Sequence, residues 1–126
     1  MSLGEAATPV IFVYVENGER ALAFYRDTLG LKLRSSEPHG DIVELGGALL
    51  HLMVMPDFKR HEHPVLGWNV ADVPAVVAAL RGKGIDFLVY EGFGQDSDGI
   101  WTSPDGSNKL AWFADPDGNV LMLAQG

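Results

Sequence analysis

Not one of the 126 residues is cysteine. That absence removes thiolate nucleophiles, disulfide staples and thiolate metal ligands together, and it fits a cytoplasmic protein. Basic residues are sparse as well. Nine Lys and Arg stand against seventeen Asp and Glu, for a formal net charge of −8. A field of that sign repels phosphate backbones and anionic lipid headgroups, so neither nucleic acid nor a membrane is expected as a partner. No apolar run approaches the ~20 residues that cross a bilayer. The opening "MSLGEAATP" lacks the basic and apolar stretches of a secretion signal and reads as a flexible lead.

What remains is an ordinary globular composition, 47% hydrophobic and 21% charged. Its length suits one domain, residues 1–126, with a real core. "PVIFVYV" (9–15) is short, β-branched and aromatic, and reads as a strand buried on both faces. Asn17 then offers an N-cap to a helix with Ala21, Leu22, Tyr25 and Leu29 on one face, closed by Gly30. "LKLRSS", "DIVEL" and "ALLHLMVM" read as three strands, the last two joined at Gly46-Gly47. A polar stretch bounded by prolines, residues 56–64, reads as a linker.

The pattern then restarts. "VLGWNV" reads as a strand, Asp72 as a cap, and Val73, Val76, Val77 and Leu80 as the apolar face of a second helix ending before Gly84. "IDFLVYE" (85–91) reads as a strand and residues 92–107 as a long loop rich in Gly, Asp and Ser. "NKLAWFA" and "VLMLA" flank the turn "DPDGN". The chain is therefore an internal repeat of two βαβββ modules, residues 9–56 and 64–124. The expected fold class is α+β: two modules in tandem, a cup-shaped, half-barrel pair of mixed sheets with helices outside. One helix covers one face of each sheet, and the uncovered faces are where function is expected.

Two segments, "VYVENGERALAFYRDTLGLKL" and "WFADPDGNVLML", resemble the vicinal oxygen chelate superfamily of glyoxalase I, bleomycin resistance proteins and extradiol dioxygenases. The resemblance spans residues 9–124 and implies the paired-module fold. It leaves the chemistry open, because isomerases, dioxygenases, thiol transferases and binding proteins share that fold. Metal-dependent members place four ligands facing the cup, and those positions fall here on Val10, His51, Val65 and Met122. Valine has no donor, and thioether sulfur suits hard or borderline divalent ions poorly. A lone imidazole falls short of the three protein ligands usual in a catalytic site. No metal site and no cofactor are therefore expected.

With His51 facing the cup, strand parity assigns the lining. Phe12 and Tyr14 come from the first strand, and Leu49, His51 and Met53 from the fourth. Asn69 and Met122 come from the second module, with Glu91 and Trp101 at the long loop as further ligand contacts. Such a lining, mostly apolar with a few polar groups, is that of a small-molecule pocket. The leading reading is a metal-independent protein, resembling the bleomycin resistance type, that binds a small organic molecule, aromatic or cationic, in the cup between the modules.

An alternative is a lyase, isomerase or dioxygenase with His51 as base, or with a metal held by His51 and Glu44 or Glu91. A third reading is a catalytically dead structural or dimerisation module. A homodimer is expected, because edge strands need cover. The "HEH" at 61–63 reads as a solvated loop. Asp96, Asp98 and Asp105 alternate like a calcium loop but lack its closing Glu. Trp68 is expected beneath the second helix, and the orientation of Trp112 stays open.

Overall fold

A computed structural model describes residues 2–126. The chain divides into two compact units at Lys59/Arg60, inside the expected linker. In the first unit a single helical turn, α1 (Leu3–Ala6), occupies part of the lead and buries none of its residues. Strand β1 (Val10–Val15) follows, then α2 (Gly18–Leu22), β2 (Lys32–Glu37), β3 (Gly40–Glu44) and β4 (Leu49–Val54). The sheet runs β1-β4-β3-β2, with β1 parallel to β4 and the remaining pairs antiparallel. β1 is thus an edge strand, and its burial alternates. Val13 and Val15 are at most 2% exposed, whereas Phe12 and Tyr14 are 50% and 40% exposed. The expectation that both faces of this strand are buried fails, because one helix shelters only one side of the sheet.

That helix begins where Asn17 accepts the Arg20 N–H on its side-chain oxygen. It does not stay α-helical. Residues Ala23–Thr28 form a π-helical turn, in which the Leu29 N–H bonds the Phe24 carbonyl. A π-turn holds an extra residue, and here it brings Tyr25 fully into the core beside Ala21. Gly30 then turns the chain out with φ +79°. The packed core of this unit is Val13, Val15, Ala21, Tyr25, Val43, Leu50 and Leu52.

The second unit repeats the plan with β5 (Leu66–Asn69), α3 (Val73–Arg81), β6 (Trp101–Thr102), β7 (Lys109–Ala114) and β8 (Val120–Gln125). Its sheet runs β5-β8-β7-β6 with the same directions: β5 parallel to β8, the others antiparallel. Asp72 caps α3 through the Ala75 N–H, and Val73, Val77 and Leu80 are buried. α3 packs on β7 and β8. Trp68 lies on that covered side, its ring near-parallel to Phe113 at 6.5 Å. Both sheets are open, each with two edges. Among the described residues no helix is long and apolar enough to cross a membrane.

The strand expected over 85–91 does not form. One bridge, Phe87 to Phe113, and one hydrogen bond, from the Leu88 N–H to the Trp112 carbonyl, hold it to β7. Further along the same edge, Trp101 pairs with Leu110. Two short pieces therefore do the work of one strand, and residues 89–100 loop out between them. Gln95 supports this loop internally. Its amide donates to the Leu88 and Gly99 carbonyls, and its oxygen accepts the Tyr90 N–H. Gln95 thus satisfies three backbone groups in place of the ladder that the β propensity of "FLVY" favours.

The three loop aspartates have separate partners. Asp96 accepts the N–H groups of Asp98 and Ile100, Asp98 pairs with Arg81, and Asp105 accepts both hydroxyls of Ser103 and Ser107. They do not converge on a cation site. In the β7–β8 turn, buried Asp115 takes the N–H groups of Asp117 and Asn119 and the Asn119 side-chain amide.

Gln95→Ala is expected to cost about 2 kcal/mol in denaturant unfolding, since it strands backbone polar groups, with faster amide exchange confined to residues 88–100. The hydroxyls of Ser103 and Ser107 hold the Asp105 carboxyl down at about 2. Its folded value lies below the unfolded one, so its stabilising contribution is present at neutral pH and lost as pH falls towards 2. In Ser107→Ala the Asp105 titration, followed by carboxyl carbon chemical shift, is expected to move up towards the ordinary carboxylate range.

Candidate functional site

In the first unit the side of the sheet away from α2 collects five of the expected lining residues. Register places Phe12 beside His51 and Tyr14 beside Met53 on the parallel β1–β4 pair, with Val10 beside Leu49. Ile42 stands across from His51 on β3. Cross-strand neighbours share a face, so these residues form one apolar surface with a single imidazole near its centre. The His51 ring lies 5.0 Å from that of Phe12, tilted by 54°. Tyr14 faces Phe58 at 6.3 Å, so part of the expected linker folds back over this surface.

The sequence reading missed His39. It occupies the tight turn between β2 and β3, and its ring lies near-parallel to His51 at 6.0 Å and 14°. Gly40 makes this possible. It adopts φ +146°, and a Cβ there would meet the Leu52 carbonyl oxygen at 1.8 Å. The cue in the sequence is "PHG": a glycine forced into close backbone approach fixes the side chain before it.

In the second unit the side of the sheet away from α3 is aromatic. One rung joins Gly67, Met122 and Trp112; the next joins Asn69, Ala124 and Leu110, with Trp101 beyond on β6. An open cleft of about 350 Å³ is lined by Gly92, Phe93, Trp101, Leu110 and Trp112. Trp112 is thereby assigned to this open side. Tyr90 and Phe93 both meet it edge-on, at 5.5 and 5.8 Å. Burial among these rings pushes the Tyr90 hydroxyl above its usual value, so it stays a donor at neutral pH. Gly67 leaves room at the rung: a Cβ there would lie 3.1 Å from the Met122 carbonyl oxygen. Glu91 is exposed in the turn beside the cleft, and Asn69 is exposed at the end of β5. Leu110 and Trp112 were legible only once the register of β7 was known. A second hollow of about 530 Å³ involves Arg60, His61, Glu62, Leu88 and Tyr90, so the "HEH" segment borders a surface without converging on an ion.

The four positions that the resemblance reserves for metal carry two isopropyl groups, one imidazole and one thioether: Val10, Val65, His51 and Met122. That donor set does not fit a divalent cation. Among the described residues no three His, Asp or Glu side chains come together as an alternative set. Glu44 pairs with Leu49, two residues along β4 from His51.

Several solved structures share this fold. A glyoxalase family protein from Bacillus anthracis is 18% identical, with TM-score 0.73 over 95% of this chain and 94% of that one. A lactoylglutathione lyase from Agrobacterium tumefaciens is 20% identical, with TM-score 0.70 over 96% and 94%. The genomically encoded fosfomycin resistance protein FosX from Listeria monocytogenes is 13% identical, with TM-score 0.74 over 96% and 93%. No curated protein matches the sequence. The family model of the Glyoxalase/Bleomycin resistance protein/Dioxygenase superfamily matches residues 7–123. With nearly its whole length matched and both βαβββ units in place, the chain belongs to that superfamily.

Proposed function

We propose that this protein binds a small organic molecule on the open faces of its two sheets, without a metal ion, as a cytoplasmic homodimer. The observation that carries the reading is the character of those faces. Each sheet buries one side under its own helix and leaves the other apolar, with Phe12 and Tyr14 half-exposed in one unit and an aromatic cleft in the other. Exposed aromatic surface of this kind is costly to maintain unless something covers it. The donor set at the family's metal positions supports binding over metal-assisted chemistry. Methionines 53 and 122 beside the aromatic rings suit a ligand of variable shape. Aromatic rings favour a flat ligand, and the net charge of −8 favours a neutral or cationic one.

One observation favours a second reading. His51 is half-buried, and within residues 2–59 its ring makes no hydrogen bond to protein. An imidazole with unspent nitrogens can act as a general base in isomerase or lyase chemistry. Elemental analysis and a turnover screen with wild type and His51→Ala separate the two. Stoichiometric metal lost with His51 would refute the metal-free reading.

Thermal unfolding against a panel of neutral, cationic and acidic aromatic compounds tests binding directly. A compound present at 100-fold over its Kd is expected to add about 2.7 kcal/mol, raising Tm by roughly 10 °C. Trp101→Ala and Trp112→Ala are each expected to weaken that compound about 3- to 10-fold. A panel that leaves Tm unmoved would remove the reading. Sedimentation is expected to give twice the 13.6 kDa chain mass.

A further inference from the structure

We propose that His39 and His51 together form a two-point donor for an oxyanion, and that the ligand of the open face is an aromatic acid. This inference rests on the binding reading above and departs from it on the ligand's charge, which contacts at the site set rather than the net charge of −8. Three observations carry it. First, the two rings lie 6.0 Å apart and 14° from parallel, held by a turn whose glycine cannot be replaced without a clash. Second, neither imidazole spends a nitrogen on a protein hydrogen bond within residues 2–59, although His51 is half-buried. Third, Phe12 stands 5.0 Å from the His51 ring and is 50% exposed, so an aromatic platform adjoins the pair.

An imidazole carries at least one N–H donor in either protonation state. A carboxylate only accepts, offers about four lone-pair sites, and takes N–H groups at about 2.7–2.9 Å. The N–H bonds lie in the planes of two near-parallel rings 6.0 Å apart, so a carboxylate at their shared edge can accept from both. A cation is the weaker match. Two imidazoles fall short of the usual three protein ligands, and among the described residues no third donor completes a set. The overall negative charge does not decide the matter. Charges beyond about 8–10 Å are screened at physiological salt, whereas charge-assisted hydrogen bonds act at contact. Two acids share this face: Glu44, on the rung of Leu49, and Glu37, which pairs with Gly40 on the rung of Met53 and Tyr14. They disfavour an anion at either end of the face, so the carboxylate is held at the histidine pair between them, with its ring over Phe12.

The test uses the full chain labelled for NMR and three probes that share one ring: benzoate, benzamide and benzylammonium. The Cε1–H signals of all four histidines are followed. Benzoate is expected to move His39 and His51 along one binding curve, about tenfold tighter than benzamide, while His61 and His63 stay in place. His39→Ala is expected to cost benzoate about tenfold and benzamide less, with His39→Asn recovering part of the loss. The amide fingerprint reports whether each variant is folded, and His39→Asn serves if His39→Ala is not. Benzoate binding no tighter than benzamide, benzylammonium binding tightest, or His51 responding without His39 each overturns the proposal. If benzamide binds and benzoate gains nothing, this inference fails and the binding reading stands. If none of the three binds, both fail.

Discussion

A single helix per four-stranded sheet is the constraint from which the rest follows. Three interstrand gaps of about 4.8 Å make a sheet roughly 14 Å across, and a nine-residue helix such as α3 is about 13 Å long. One helix therefore shelters one face and nothing more. Within each unit the covered face is packed with valine, leucine and a few rings, among them Tyr25 in one and Phe113 in the other. Truncating such a residue costs about 2–5 kcal/mol. The opposite face carries larger, more accessible and more varied side chains. Stability is thus carried on one side of the strands and the proposed binding surface on the other, residue by alternate residue.

Strand alternation also explains why so much of the first unit was readable in advance. Once "ALLHLMVM" is taken as a strand with Leu50 and Leu52 inward, His51 must point the other way, and the parallel register brings Phe12 to it. Asn17 and Asp72, both short polar residues before an apolar helical face, cap as their chemistry requires. The repeat was visible because each unit uses the same order of these local signals.

What could not be read was decided by tertiary competition. "IDFLVY" has the composition of a strand, yet Gln95, seven residues downstream of Leu88, takes over its hydrogen bonding. No local pattern announces that a glutamine will do so. The edge position of β1 was similarly hidden, since an aliphatic and aromatic run looks alike whether a neighbour covers one side or two. His39 escaped notice because a histidine in a polar turn has no periodicity to place it; only the backbone contact at Gly40 does. Trp112 needed the β7–β8 register, which the turn fixes through Asp115.

The π-helical turn over Ala23–Thr28 has a consequence for kinship at the level of chain length. A wider turn stores one surplus residue without lengthening the helix axis by a full step. Deleting one residue there would let the segment rewind as plain α-helix, with Asn17 still at its start and Gly30 still at its exit. Related sequences can thus differ by one in this segment while the strands on either side keep their positions, and a pairwise comparison that forbids a gap there misaligns everything between Tyr25 and Gly30.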